Sequence, residues 1–521
     1  MIIHGSLASK DFDKAASVQY GITTLHLMEI AGKVYADEID QDFKKSEKKA
    51  LLVSGPGNNG GDSFVIARFL ISDGWNVTLI LLNPTESYLG ASLENLMILN
   101  QMAQDLSLGL HITLIKNENT FQQILQDFKP DVLVDALFGV GLTRNIVGLE
   151  ERIIYVMNQS CIPIYAIDIP SGISADHGQI LGQAVKATKT ITFETMKFGH
   201  MLYPGKEYSG EVVVKQIGFP LLLKKNFSSA TTCLNVDELK PLFRSRPANA
   251  YKGTFGKAFL FGGSKHYQGA LELSVQSCLK SGAGVVHAIY NEKLSPFLGP
   301  RLPAEVVHEI VPSNHLGELD LIQFSTFLST IQLSRTSIGV GPGIGRDLDV
   351  IEAVQIILKE WMGALVIDAD GLFAIKDCLG NSTYSPSIVL TPHLGEMAYL
   401  TGVSIDMIQA DLVGTAKHYA SLWNTTLVLK SSSTVIADPS GKVFVNQWGN
   451  SGMAKGGSGD VLTGIICSFL AQGYNTMDAS ILGVCIHSLA GDLAAKTKGF
   501  HSMLPTDICQ FIPKAFSLIQ N

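Results

Sequence analysis

Between residue 49 and about residue 195 the chain alternates unbroken apolar runs with amphipathic segments. The runs are ALLVS (50–54), NVTLILL (76–82), HITLI (111–115), DVLVDAL (131–137), IPIYAID (162–168) and TKTITF (188–193). They are too short for helices and too uniformly apolar for strands with one wet face. Such runs, separated by helical patterns, predict a parallel sheet covered on both faces. A more polar passage at 224–253 breaks the rhythm and predicts an inter-domain connection. A second alternation follows through KAFLFGGS (257–264), GVVHAIY (284–290), SIGVGPG (337–343), ALVIDADG (364–371), SIVLTPH (387–393), TLVLKSSSTVIAD (426–438) and KVFVN (442–446). The expected fold class is α/β in both halves, with domains at 1–225 and 226–521.

Glycine-rich turns interrupt this pattern at places where chemistry is expected. VSGPGNNGGD (53–62) satisfies G-x-G-x-x-G from Gly55. A dinucleotide fingerprint also needs a bare helix N-terminus and an acid about 20 residues on. Asn83 stands where that acid belongs, and Asp62 is expected to cap the helix DSFVIARFLISDG, where it would repel a pyrophosphate. The amides of Asn58 and Asn59 suit a polar head group or a weakly hydrated cation better. Two further turns, DALFGVGLTRN (135–145) and AIDIPSGISADHG (166–178), end strands of the same sheet. They bring Asp135, Asp168 and Ser171 to the strand ends, where such sheets bind ligands.

The second half holds GNSGMAKGGSGD (449–460), followed by VLTGIICSFLAQG. Val461, Leu462, Ile465, Ile466, Phe469 and Leu470 fall on one helical face, and Gly473 ends the run. The glycines therefore precede a helix N-terminus, whose free N–H groups stabilise phosphoryl oxygens. Asp460 in the first turn would not grip phosphate. It either caps the helix or takes a proton from a hydroxyl attacking a phosphoryl group. TPHLGEM (391–397) puts His393 and Glu396 three apart at a strand-to-helix turn, in reach of a metal–phosphate group. GVGPGIG (339–345) adds a third glycine turn and DADG (368–371) another acidic strand end.

Composition narrows the classes. A chain of 521 residues implies two domains or more. A net charge of −8 without a basic cluster argues against a nucleic-acid partner, while small phosphorylated ligands remain open. The seven cysteines show no C-x-x-C spacing and read as reduced, buried thiols. No export signal is expected at the N-terminus, and the apolar run VLTGIICSFLAQG is too short to span a bilayer. The expectation is a soluble, cytoplasmic protein without a membrane partner.

GPGNNGGD, VDALFGVG, DIPSG and TFETMKFGHMLYPG together resemble the epimerase domain of NAD(P)H-hydrate repair enzymes, over residues 10–220. SKHYQGA, GVGPGIG, DADGL, TPHLGE, LVLKSSSTVI and GMAKGGSGDVLTG resemble the nucleotide-dependent NAD(P)H-hydrate dehydratase, over residues 235–515. The resemblance implies a Rossmann-like first domain and a ribokinase-like second one. In the first, Asn58, Asn59, Gly60, Gly61, Asp62, Gly139, Val140, Gly141, Leu142, Thr143, Arg144, Asn145 and Asp168 would bind the hydrated dinucleotide. Asn59, Asp135 and Ser171 would hold a potassium ion, and Asp168 would be the epimerase acid/base. In the second, Ala270, Gly343, His393, Leu394, Gly395, Glu396, Met397, Ala398, Tyr399 and Asp460 would contact the hydrate, with Asp460 catalytic. Lys430, Ser431, Ser432, Ser433 and Thr434 would contact the nucleotide. So would Asn450, Ser451, Gly452, Met453, Ala454, Lys455, Gly456, Gly457, Ser458 and Gly459.

Three departures from the family pattern stand out: Ser63 for a glycine, Ile30 for an asparagine, and KSSST in a turn that often carries glycines. The implied reaction is recycling of R- and S-NADHX or NADPHX and nucleotide-dependent dehydration of the S-epimer. ADP with Mg2+ is the expected co-substrate, giving AMP and phosphate, with ATP as the alternative; a homo-oligomer is expected. Two other readings stay open here. One is a vitamin or sugar kinase fused to a dinucleotide-binding regulatory domain, and the other is a non-catalytic N-terminal binding module.

Overall fold

The computed structural model describes residues 2–44, 46–226, 231–380 and 387–520. The chain divides into two compact units, Met1–Ser229 and Ala230–Asn521. The expected junction after residue 225 abuts residues 227–230, which lie outside the described residues.

The first unit is built on a seven-stranded sheet in the order Leu110–Leu114, Asn76–Leu81, Lys49–Ser54, Val132–Ala136, Ile164–Ile167, Lys189–Phe193, Glu211–Lys215. Every neighbouring pair is parallel. Three central strands are buried over almost their whole length, which is why they read as continuous apolar runs. Strand order reverses between Lys49–Ser54 and Val132–Ala136. The loops leaving these two strands therefore diverge and open a crevice at the sheet's C-terminal edge. The glycines of the first loop allow the chain to turn there at close quarters. A methyl on Gly55 would sit 2.0 Å from the Leu137 carbonyl oxygen, and one on Gly60 1.9 Å from that of Gly55.

The last strand of this sheet, Glu211–Lys215, was not among the expected ones. Its EVVVK sequence is only half-buried, so it lacks the unbroken apolar signature. A short parallel pair, Ile3–His4 with Met196–Lys197, also escaped the pattern. It matters because it fixes Lys197.

The second unit carries a ten-stranded sheet. Its reversal lies between Lys257–Phe261 and Thr336–Val340, which pair in parallel. The run 426–438 is not one strand. Thr426–Leu429 and Val435–Ala437 pair antiparallel, and Lys430 to Thr434 form the turn between them. Val307–Val311 was also unforeseen, because this edge strand exposes most of its residues. The helix Ser458–Ala471 is apolar on more than the expected face: twelve of its residues are buried, from Ser458 to Ala471. It packs against Gln268–Lys280 and Thr476–Lys498. The latter is long and apolar enough to cross a membrane, but it is mostly buried within the unit and serves as its core helix.

Candidate active sites

A cavity of about 830 Å³ occupies the crevice of the first unit. Asn58, Asn59 and Asp62 line it from the first loop, and Gly139 to Arg144 line it from the second. Asp168 and Lys197 complete its floor, and the helix Ser6–Tyr20 closes one wall with Asp13. Asp168 ends the strand Ile164–Ile167 with a left-handed backbone, φ +63°. Such strain in a non-glycine residue persists only where its surroundings hold it. Here Thr192 Oγ1 donates to Asp168 Oδ1 at 2.8 Å, and the Lys197 ammonium pairs with the same oxygen. Burial pushes this carboxyl up, but the Lys197 charge and the hydrogen bonds outweigh it and hold it below the ordinary range. His200, which accepts the Lys197 N–H at 3.1 Å, is pushed down to about 3 by burial and the Lys197 charge, so it is neutral.

The other acids of the cavity move the opposite way. Burial and the charge of Asp168 raise Asp13 to about 6, and raise Asp62 well above the carboxylate range. The cavity thus holds acids of widely different proton affinity, Asp168 low, Asp13 near 6 and Asp62 high, beside Lys10, Lys14 and Lys197.

Several expected roles change. Asp62 is not the helix cap: the helix begins at Asn58 with Gly57 as its N-cap, leaving Asp62 beyond the first turn. Gly60 and Gly61 do not line the cavity. They serve packing, since a methyl on Gly61 would strike Ser92 Oγ at 2.3 Å. Asn145 is likewise outside the lining. Ser63 fits its glycine position by bonding to Ser54 Oγ and the Gly60 carbonyl, each at 2.6 Å. Ile30 is partly exposed and does not line the cavity.

Asp135 and Ser171 meet beneath this floor. Ser171 donates its N–H to Asp135 Oδ2 at 2.7 Å and its hydroxyl to Oδ1 at 2.5 Å. Asn59 reaches the same loop, its Oδ1 lying 3.3 Å from where a Gly139 methyl would stand. Asp135 is fully buried, and no lysine or arginine pairs with it among the described residues. Burial accordingly pushes it up to about 6. A buried carboxyl with no ion-pair partner among the described residues, together with Ser171 Oγ and Asn59 Oδ1, makes an all-oxygen donor set that fits a hard, weakly hydrated cation.

The second cluster gathers where three parallel strands end. Asp368 follows Ala364–Ile367, Thr391 follows Ile388–Leu390, and Lys430 follows Thr426–Leu429. Lys430 Nζ lies 2.6 Å from Asp368 Oδ1, and Thr463 Oγ1 donates to Asp368 Oδ2 at 2.6 Å. Burial raises Asp368, but Lys430 and these hydrogen bonds bring it below the ordinary range. Gly459 brings the helix Ser458–Ala471 onto this pair: a methyl there would stand 3.3 Å from Lys430 Nζ and 3.5 Å from Asp368 Oδ2. Asp460, next in sequence, is raised to about 7, first by burial and then by the Asp368 charge. A carboxyl poised near neutrality at a glycine-rich helix N-terminus can accept a proton while the free N–H groups hold an anion. Gly343, at φ +60°, and Ala270 are also neighbours, 2.7 Å apart from methyl position to Cβ.

The expected contacts of the TPHLGEM turn are reassigned in part. His393 Nδ1 accepts the N–H groups of Gly395 and Glu396 at 3.0 and 3.2 Å, and Glu396 Oε2 accepts the His393 N–H at 2.7 Å. This reciprocal cap engages His393 Nδ1 and Glu396 Oε2, and leaves His393 Nε2 and Glu396 Oε1 3.4 Å apart. Met397 is fully buried and turns from the site, because consecutive helical residues cannot all face one ligand. Tyr399 packs against Phe373, their rings tilted by 35° with centroids 4.3 Å apart. Lys455 is not a free phosphate ligand: it donates to the carbonyls of His501 and Met503 at 2.7 and 2.6 Å.

The helix Thr476–Lys498 supports the glycine loop, a role not visible beforehand. Asp492 accepts from Gly449 N at 3.0 Å and Asn450 Nδ2 at 2.8 Å. His487 Nε2 and Ser458 Oγ are buried without hydrogen-bond partners among the described residues. Burial lowers His487 to about 4 and keeps it neutral. The only sequence signal was polar residues on an otherwise apolar helix.

Known proteins resemble both halves. A family model described as YjeF-related protein N-terminus matches residues 24–199, and one described as NAD(P)H-hydrate dehydratase matches residues 258–514. A bifunctional NAD(P)H-hydrate repair enzyme of Thermofilum pendens is 35% identical over 517 residues, 98% of this chain and 95% of the relative. One from Moorella thermoacetica is 34% identical, covering 96% and 94%. Among solved structures, the ADP/ATP-dependent NAD(P)H-hydrate dehydratase of Bacillus subtilis, co-crystallised with ATP and Mg2+, is 28% identical. It covers 55% of this chain and 97% of that one, with a TM-score of 0.47.

Proposed function

The chain belongs to the bifunctional NAD(P)H-hydrate repair enzymes, and we propose that its two clusters divide that work between them. The protein interconverts the R- and S-hydrates of NADH and NADPH and dehydrates the S-epimer at the expense of a nucleotide. No hydride moves. The first glycine loop receives a damaged cofactor as substrate, within a domain taken as residues 1–225.

In the second domain, residues 226–521, Asp460 takes the proton from the S-epimer's hydroxyl, which attacks the terminal phosphoryl group of ADP. AMP leaves; phosphate then leaves the ring with loss of a neighbouring proton, and the double bond returns. Phosphate is a far better leaving group than hydroxide, which is why a nucleotide is needed. The observation that carries this assignment is Asp460 itself, raised to about 7 in the first turn after the glycine loop. Lys430 and the loop Asn450 to Gly459 hold the nucleotide. Mg2+ would enter with the nucleotide's phosphates.

In the first domain Asp168 works as the epimerase base. Asp135, Asn59 and Ser171 would hold a potassium ion, which would supply positive charge to the site. The protein acts as a cytoplasmic homo-oligomer. The test is to add mixed hydrates with ADP or ATP and follow dihydronicotinamide absorbance. Full return of absorbance, faster with ADP and with phosphate released, is expected. A stable phosphorylated product would favour a kinase instead.

A further inference from the structure

We propose that Asp13 is the proton donor of the epimerisation, working with Asp168 in the same cavity. This rests on the assignment of the first cavity as the epimerase site.

The chemistry needs two carboxyls in opposite states. Hydration of an enamine places the hydroxyl on the carbon beside nitrogen. Inversion there follows when the hydroxyl accepts a proton and departs as water, while the nitrogen lone pair forms a C=N+ bond. A second water then adds to the opposite face and gives its proton to a carboxylate. One C–O bond breaks, one forms, and the proton lost by the acid is matched by the one gained by the base. The task is that of an inverting glycosidase, in which an acid and a base act on the two faces of one carbon.

Asp168 is not suited to be that acid, because the Lys197 ammonium and the Thr192 hydroxyl hold its carboxylate in the ionised form. Asp13 is. The helix Ser6–Tyr20 buries Phe12, Ala15 and Ala16, and turns Ser9, Asp13 and Ser17 to the cavity at a spacing of four. No hydrogen bond or ion pair engages the Asp13 carboxyl among the described residues, and the residue stays open to water. A donor must reload from solvent at each turnover. Asp62 faces the same cavity but is less exposed. The charged groups that share the cavity with Asp13 are Lys10 and Lys14 on its own helix and Asp62, Arg144, Asp168, Glu194 and Lys197 across the lining; of these Asp168 raises it and Lys197 lowers it. Partial enclosure by the cavity wall and the Asp168 charge outweigh Lys197, leaving it at about 6.

The experiment uses the full chain, mixed hydrates and excess ADP, so that the slow phase reports R-to-S conversion above the spontaneous rate. Asp13→Asn should slow that phase by about 10²–10⁴-fold, with the fast S phase unchanged, and Asp13→Glu should restore part of it. The wild-type rate of that phase should fall as pH rises through the Asp13 range, and Asp13→Asn should lose this limb. In 18O-labelled water each inversion should introduce one labelled oxygen. Retention of the original oxygen would overturn the proposal. So would an Asp13→Asn enzyme of normal rate alongside an inactive Asp168→Asn, with Asp62→Asn then naming the true donor. If Asp168→Asn and Asp13→Asn were both fully active, the site assignment itself would fall.

Discussion

The two units solve one electrostatic problem in mirror fashion. Each sets an aspartate–lysine pair at the C-terminal edge of a mainly parallel sheet: Asp168 with Lys197, and Asp368 with Lys430. In the first pair the lysine is the sealed member, its side chain 4% exposed against 17% for the acid. In the second the acid is sealed, at 1% against 19% for the lysine. The first pair therefore shows a fixed negative charge to its ligand, and the second a fixed positive one. A carboxylate suits taking protons from water or a hydroxyl. A lysine suits a nucleotide's phosphates, and in the proposed mechanism the proton work there passes to Asp460. Both units place a left-handed, non-glycine residue at the pair, Asp168 and Ala369, at φ +63° and +48°.

The largest effect should come from exchanging the working acids. Asp460→Asn keeps size but cannot take up a proton, so dehydration should fall by about 10²–10⁴-fold. Asp168→Asn should leave dehydration of the S-epimer untouched and remove the enzymatic recovery of R. Starting from mixed hydrates with excess ADP, it should show one fast phase and then the spontaneous rate. A single fast phase consuming both epimers would break the division of labour.

Removing the lysines should separate the pairs by stability. Lys430→Met strands a sealed carboxylate, and losing one partner of a buried pair costs about 3–5 kcal/mol. Lys197→Met should cost less, because Asp168 faces a cavity and can recover water. Denaturant unfolding of the two variants checks the order, and equal losses would mean that the exposure difference has no energetic weight.

Much of this comparison could be read from sequence, and its limits have physical causes. Central strands announce themselves because burial on both faces demands apolar runs. Glu211–Lys215 and Val307–Val311, at sheet edges, carry no such demand. The glycine loops and their acids were legible because their residue types are costly anywhere else. Asp62 was misplaced because Asn58 and Asn59 look like loop residues, while the helix starts under them. Asp13, His487 and Asp492 act from helices whose period shows burial, and no local pattern says that a polar residue on such a helix faces a site.

The pH response should divide the units again. Asp460 must be deprotonated to act, so the dehydration rate should climb as pH rises toward about 7 and level above it. Stability runs the other way. The folded chain holds the Asp460 proton up to about 7, whereas the ordinary carboxyl releases it near 3.8, so this group's contribution is full below 3.8 and lost as pH rises to about 7. Asp168 has the opposite sign: its contribution is present above 3.8 and lost as pH falls below it. Rate and unfolding profiles measured together should show dehydration improving where the Asp460 contribution to stability declines.

The smallest effect should come from the glycine loops, where the same residue type answers different needs. In the first loop the constraint lies within the fold: a Gly60 methyl meets backbone at 1.9 Å. Gly60→Ala should therefore overpack the strand-to-helix turn and cost roughly 1–3 kcal/mol of stability. In the second loop Gly456 has nothing within 4 Å of its methyl position and no left-handed backbone. Folding gives no reason for a glycine there, so its small size is left to serve an approaching ligand. Gly456→Ala should leave the melting temperature within a degree or two, as surface changes within about ±0.5 kcal/mol do. It should raise the KM for ADP several-fold while kcat changes little, since lost ground-state contact appears in KM. An unchanged KM would show that the phosphates do not pass Gly456, and would move the nucleotide toward Gly459 and Lys430.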